Sequence, residues 1–296
     1  MTEVDVPTPV EQWRMTYSWP PSYIADPYSG GGNNLYTALI DGRAGYIRIR
    51  QMLSDPKEDM ETLKDFMKTA GTLPALVIDI RGNGGGNDGY CWNLVSTLSY
   101  KPVDLVMHII WRNSDFARRL ADAKGVSKMP GTAKAEVEKL AGEACPPGLP
   151  PEILTPAFDE PRTMKYTIEP SGSVNYAGKI FLLVDDNVFS SAESFAAFCK
   201  GSGWATVVGS FTGGDGIGYD PALLTLPKSG MTVRFSSMMG LNPDWTANEG
   251  THTKPDVLVE MSAADLVAYM NAISIGLTGP DPSWDVVLRR CLAEDK

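Results

Sequence analysis

Ala75-Leu76-Val77-Ile78-Asp79-Ile80-Arg81-Gly82-Asn83-Gly84-Gly85-Gly86-Asn87 is the stretch that decides the fold. Its first six residues are a nearly continuous apolar run, the pattern of a strand covered on both faces of a sheet. The run empties into three successive glycines, and a helix is expected to follow to about Tyr100. Upstream, Gly45–Gln51 (GYIRIRQ) alternates with β-branched residues at period two and reads as a strand. Between the two, Asp55-Pro56-Lys57-Glu58 is a helix start, with an Asp cap and Pro at the first position. Met60, Leu63 and Met67 then mark one helix face, and Gly71 ends it. Strand, helix, strand, glycine loop, helix is a parallel α/β sheet.

The pattern extends outward on both sides. A strand is expected near Val103–Trp111, then a polar helical stretch from Ser114 to Ala141. Pro146–Pro170 is proline-dense and reads as an excursion over the surface, so residues 113–178 are taken as an insertion. Lys179–Val184 (KIFLLV) is again a buried strand, followed by a helix from about Ser190 to Lys200 with Ala192, Phe195, Ala196 and Cys199 on one face. Ala205–Val208 is a short strand. Leu223–Leu226 and Met231–Phe235 flank Pro227-Lys228-Ser229-Gly230 as a hairpin. Helices near Ala263–Ile275 and Ser283–Ala293 close the chain. Residues 1–43, rich in Pro, Gly and Tyr, read as an N-terminal arm without a core of its own, and 44–296 as the main domain.

Composition removes several classes of function. Across 296 residues, 26 basic side chains face 36 acidic ones, and this acidic balance disfavours nucleic acid or an anionic membrane surface as partner. No apolar run reaches the roughly 18–20 residues of a membrane span. The N-terminus MTEVDVPTPVEQWR has neither a basic nor an apolar leader region, so no signal peptide is expected. Two histidines, His108 and His252, are too few for a histidine-rich metal cage. The four cysteines (Cys91, Cys145, Cys199 and Cys291) lack CxxC spacing, so no metal, cofactor or disulfide framework is expected. Cys199 and Cys291 fall on apolar helix stripes, where a reduced, buried thiol is the simpler role.

Two strand-to-helix junctions carry the candidate chemistry. The glycines of the first can turn several N–H groups toward one point, which suits an anion or oxyanion, although a tight turn explains a lone glycine run as well. A dinucleotide fingerprint fits poorly, because the glycines are contiguous. The second junction is Leu182–Phe198 (LLVDDNVFSSAESFAAF). Its serine pair has a plain reading as a helix cap, with Ser190 capping and Glu193 completing a capping box. The alternative places Ser190 Oγ at the helix N-terminus as a nucleophile, with the N–H of Ser191 and a glycine of the first loop as oxyanion donors.

Taken together and in order, these blocks resemble the C-terminal-processing or tail-specific serine peptidases (S41-like), whose relatives include the tricorn core protease and retinoid-binding modules. The resemblance covers about residues 44–296. It rests on Gly45–Gln51, Leu76–Gly86, Val184–Ala197, Val207–Gly214 (VVGSFTGG), Leu226–Phe235 (LPKSGMTVRF), Glu249–Glu260 (EGTHTKPDVLVE) and the closing DPSWDVVL at 281–288. It implies an α/β core sheet of the ClpP/crotonase type, flanked by helices, with the helical and proline-rich excursion inserted. It also implies a peptide, protein or small acyl substrate cleaved through an acyl-enzyme, Ser190 as nucleophile, and an oxyanion hole from Ser191 and Gly84 or Gly85.

The general base is where the chain departs from this pattern. One branch of the family places a lysine after the double-glycine turn; here that position is Asp215, which suits a glycine-flanked turn. The other branch takes a histidine from upstream of the GYIRI strand, oriented by a glutamate near the E-G block. Glu249 fits the glutamate, but no histidine precedes residue 45. His108 lies in an apolar strand pattern and reads as a core residue. His252, three residues after Glu249, is the remaining candidate base, and Lys228 reads as a surface lysine. Residues 1–43 are also too short for the PDZ module or the helical subdomain of many relatives. A partner chain supplying missing elements therefore stays open, as does a non-catalytic module holding a hydrophobic ligand or peptide. A crotonase-type thioester enzyme shares the sheet but not the S-x-x-E block.

Overall fold

The side chains of Ala75–Ile80 divide between two cores. Leu76, Ile78 and Ile80 pack on one face of a sheet, with Ile47, Ile49, Leu182 and Val207. Ala75 and Val77 pack on the other, with Tyr46, Phe181, Leu183 and Val208. This division is the period-two geometry of a strand buried on both sides. The structure is a computed structural model that describes residues 33–142, 151–214, 217–218, 221–277 and 279–294.

Six strands form the central sheet: β1 (Leu35–Ile40), β2 (Ala44–Ile49), β3 (Ala75–Asp79), β6 (Lys179–Val184), β7 (Thr206–Gly209) and β11 (Val257–Leu258), side by side in that order. β1 is antiparallel to β2, and every other neighbouring pair is parallel. Helices α1 (Lys57–Ala70), α2 (Asp88–Leu98) and α5 (Ser190–Ser202) bury Leu63, Leu94 and Phe195 against one face. α7 (Ala263–Ser274) and α8 (Val286–Ala293) bring Ala272, Leu288 and Cys291 to the other. The result is the helix-flanked, parallel-rich α/β sheet expected.

A second sheet stands beside it, built antiparallel from β4 (Val103–Ile110), β5 (Arg162–Ile168) and β10 (Met239–Leu241) in the order β10-β4-β5. The expected hairpin is present as β8 (Ala222–Thr225) and β9 (Thr232–Phe235). The helical stretch expected from Ser114 to Ala141 is two helices, α3 (Asp115–Ala123) and α4 (Lys134–Gly142). Gly125, in the left-handed region at φ 73°, and Pro130 fall between them. The proline-dense segment is more than an excursion, because β5 lies within it and pairs along β4. Leu35–Ile40, from the stretch read as an arm, is the first strand of the central sheet. Residues 1–32 of that arm lie outside the described residues, as do Cys145 and Asp215. Cys91, Cys199 and Cys291 are buried and form no disulfide with one another.

A buried ion network ties the sheet to α8. Asp79 is fully buried and accepts from Tyr46 Oη at 2.7 Å, Arg48 at 3.0 Å and Arg81 at 2.6 Å. Arg81 also reaches Asp285 at 2.7 Å, the residue that caps α8 by accepting from the Leu288 N–H. Burial alone would raise the Asp79 carboxyl, but the Arg81 and Arg48 guanidiniums hold it well below the usual carboxylate range.

Candidate active site

Three loops leave the carboxyl ends of the adjacent strands β3, β6 and β7 and meet, at the edge where open α/β sheets hold their ligands. The first is the glycine loop. Asn83, fully buried, organises it: its Nδ2 donates to the Ile49 carbonyl at 3.1 Å, and its Oδ1 accepts from Gly85 N–H at 2.9 Å. The Asn83 carbonyl accepts from Phe189 N–H at 3.1 Å, and Gly82 N–H donates to Asp185 Oδ1 at 2.8 Å. These last two bonds fasten the loop to the β6–α5 junction. Burial pushes the Asp185 carboxyl up, against the Gly82 amide bond and Arg81, which pull it down.

Gly85 is the point of closest approach. At φ 101°, a Cβ on it would stand 2.5 Å from Ser190 Cβ, 2.8 Å from the Phe189 carbonyl oxygen and 3.0 Å from Ser191 N. Only glycine lets the loop lie this close to the start of α5. A Cβ on Gly84, by contrast, would meet nothing within 4 Å. The two expected loop donors also differ in their bonding. Gly85 N–H is committed to Asn83, whereas Gly84 N–H donates to none of the described residues.

The second loop delivers Ser190, which overturns the capping reading. The residue in the cap position of α5 is Phe189, and no side chain caps the helix. The Phe189 carbonyl accepts from the N–H of Ala192 and Glu193 at 3.1 and 3.3 Å. Ser190 itself has φ 54°, a left-handed value that an ordinary side chain reaches only with strain. Its half-buried hydroxyl is thus free of helix duty, at the positive end of a 13-residue helix. Ser191 is buried, and its carbonyl accepts from the Cys91 thiol at 3.7 Å, which burial keeps protonated.

The third loop, Thr212–Gly214, brings in His252. Gly214 forms a bridge with Phe189, one residue before Ser190. A Cβ on Gly214 would lie 3.1 Å from His252 Cδ2 and 3.4 Å from Nε2, so that edge of the imidazole covers Gly214. The opposite edge donates from Nδ1 to the Thr212 carbonyl at 2.7 Å. A carbonyl oxygen only accepts, so Nδ1 carries a proton and Nε2 is the nitrogen left to act as a base. His252 terminates α6 (Asn248–Thr251) with φ 56° and ψ −172°, a conformation ordinarily left to glycine.

The carboxylate bonded into this loop belongs to Glu193 and not to Glu249, the glutamate expected there. Glu193, fully buried, accepts at Oε1 from Asn248 Nδ2 and from Thr253 Oγ1, both at 2.6 Å, and it completes no capping box. Its position three residues after Ser190 was visible in the sequence; its partners on the far loop were not. Glu249 is exposed on α6 and lines a cavity of about 540 Å³. The walls of that cavity include Trp111, Phe116, Phe158, Phe235 and Asn248. His108 is buried in β4, stacked 3.7 Å from Trp245 and bonded through Nδ1 to Thr163 Oγ1 at 3.0 Å. Burial lowers its pKa to about 4, so it is a neutral core residue. Lys228 is exposed in the hairpin turn. Among the described residues no cluster of His, Cys, Asp and Glu is placed to hold a metal, and no helix is long and apolar enough to cross a membrane.

None of the curated proteins matches the chain. Solved structures do. One is a Parabacteroides merdae protein assigned to the peptidases, with a TM-score of 0.56 and 18% identity over 84% of this chain and 66% of that one. Mature CPAF complexed with lactacystin gives 0.55 and 18%, over 87% of this chain and 53% of that one. A Bacteroides fragilis protein assigned as an S41 protease gives 0.51 and 14%, over 88% and 56%. The chain thus spans between about half and two thirds of the length of these structures, and the likeness is one of fold. The sequence pattern of peptidase family S41 matches residues 43–259. That span runs from the start of β2 through β11 and takes in all three loops, so the chain belongs to peptidase family S41.

Proposed function

We propose that the chain is a serine peptidase that cleaves peptide substrates through an acyl-enzyme on Ser190, with His252 as the general base. The observation that carries this reading is the Nδ1 bond of His252 to the Thr212 carbonyl. It leaves the basic Nε2 edge over Gly214, which is bridged to the residue before Ser190. Nε2 takes the Ser190 hydroxyl proton as Oγ bonds to the scissile carbonyl carbon. The oxyanion lies between Ser191 N–H and Gly84 N–H, at the positive end of α5. The imidazolium then protonates the leaving nitrogen, the C–N bond breaks, and water activated by the same imidazole releases the acid and restores Ser190. The neighbouring cavity, apolar on most sides, seats a large apolar side chain of the peptide.

Fluorophosphonate labelling of the intact chain tests this reading. Wild type is expected to label, Ser190→Ala to remain unlabelled, and His252→Gln to label on the order of 10²–10⁴-fold more slowly. A wild-type chain that resists the probe would instead favour a binding module on the peptidase scaffold. Equal labelling of His252→Gln and wild type would place the base elsewhere.

A further inference from the structure

We infer that Glu193 is the positioning residue of His252, holding the imidazole edge-on to Gly214 through bonds on both sides of it. The inference rests on the serine peptidase reading for its catalytic consequence, but not for its geometry. Glu193 Oε1 accepts from Asn248 Nδ2 and Thr253 Oγ1, both at 2.6 Å. Those two residues bracket His252. The Asn248 carbonyl accepts the His252 N–H at 2.7 Å. Thr253 N–H donates to Thr212 Oγ1 at 2.8 Å, and its carbonyl accepts from Thr212 N–H at 3.3 Å. Thr212 is the residue whose carbonyl orients the imidazole. One carboxylate oxygen therefore fixes the backbone entering His252 and the residue that sets its tautomer.

Two features separate this from an ordinary structural tie. First, His252 is held at φ 56° and ψ −172°, which a side chain keeps only where its surroundings over-determine it. The Glu193 bonds to either side supply that constraint. Second, Glu193 Oε2 is buried without a hydrogen-bond partner, an arrangement unfavourable for stability alone. Glu193 also sits on α5, one turn from Ser190, so the helix that presents the hydroxyl carries the anchor for the imidazole. Displacing α5 moves both together.

The chain has only two histidines, which makes the test direct. Imidazole ¹⁵N–¹H spectra, assigned with His108→Gln, report the His252 tautomer without requiring any activity. Wild type should show a hydrogen-bonded Nδ1 proton on His252. Glu193→Ala should lose that signal and slow fluorophosphonate labelling at least ~10-fold, while the His108 signals stay in place. Glu193→Gln keeps the Oε1 acceptor and should restore the signal, with labelling within about threefold of wild type. If Glu193→Ala does not fold, Thr253→Val carries the test, and it should weaken the His252 signal. Retention of an unchanged His252 Nδ1 proton in folded Glu193→Ala, or in Thr253→Val, overturns the inference. A chain that shows these spectra but never labels leaves the positioning intact and removes the peptidase reading instead.

Discussion

The carbonyl of Thr212 accepts the Nδ1 proton of His252 at 2.7 Å, so a backbone atom, rather than a carboxylate, decides which imidazole nitrogen is basic. That bond depends on where the ring rests, and the ring rests on Gly214. At φ 81°, with a would-be Cβ only 3.1 Å from His252 Cδ2, Gly214→Ala both strains the turn and pushes the ring away. We expect a stability loss of about 1–2 kcal/mol by chemical denaturation. Labelling should fall further than that loss explains, by at least ~10-fold with the protein still folded.

The glycine loop makes an asymmetric prediction. Gly85→Ala would drive a methyl group to 2.5 Å from Ser190 Cβ and 2.8 Å from the Phe189 carbonyl oxygen. It should lose more than ~2 kcal/mol and all labelling. Gly84→Ala meets no atom within 4 Å and should stay within about 0.5 kcal/mol of wild type, with labelling retained. Urea melts of both variants separate the two cases.

In the buried network at the end of β3, Asp79→Ala removes the carboxylate shared by Arg48, Arg81 and Tyr46 Oη, while Arg81 keeps its bond to Asp285. Removing one partner from a buried network of this kind is expected to destabilise the fold by about 3–5 kcal/mol. Asp79→Asn should fall between this variant and wild type, because it keeps an acceptor for Tyr46 Oη. Calorimetry of the three proteins would check the order.

His108 makes stability depend on pH in a defined window. Burial lowers its folded pKa to about 4, with the Pro243 backbone and Asp244 acting in the other direction, against 6.5 for a free imidazole. Between these values the unfolded chain binds more protons than the folded one, so stability falls as pH drops from about 6.5 toward about 4. The loss attributable to His108 is on the order of 3 kcal/mol across that range. His108→Gln should flatten the dependence there, as read from denaturation midpoints at each pH.

Long apolar strands were legible from sequence almost to the residue: Lys179–Val184 was expected as a strand and is one. The pieces that escaped are short or lie in misleading company. β11 has two residues and β10 three, too few for any period to register. β5 sits within a proline-dense segment whose composition points to the surface, although its pairing with β4 is long and regular. At the site, both junctions could be found because a strand end, glycines and a helix start are local features. The tie between Glu193 and the His252 loop could not, since it joins residues 55 and 60 positions apart. Local spacing alone favours Glu193 as a capping residue, whereas the fold turns its carboxylate toward Asn248 and Thr253.

The left-handed backbone at Ser190 has a consequence for anyone who engineers this protein. Glycine takes that conformation without strain, and the Ser190 side chain caps no helix end in return. Ser190→Gly should therefore raise the melting temperature while removing the proposed chemistry. A library selected for thermal endurance alone would drift toward an inert chain, so any stabilisation campaign needs an activity readout beside the heat step.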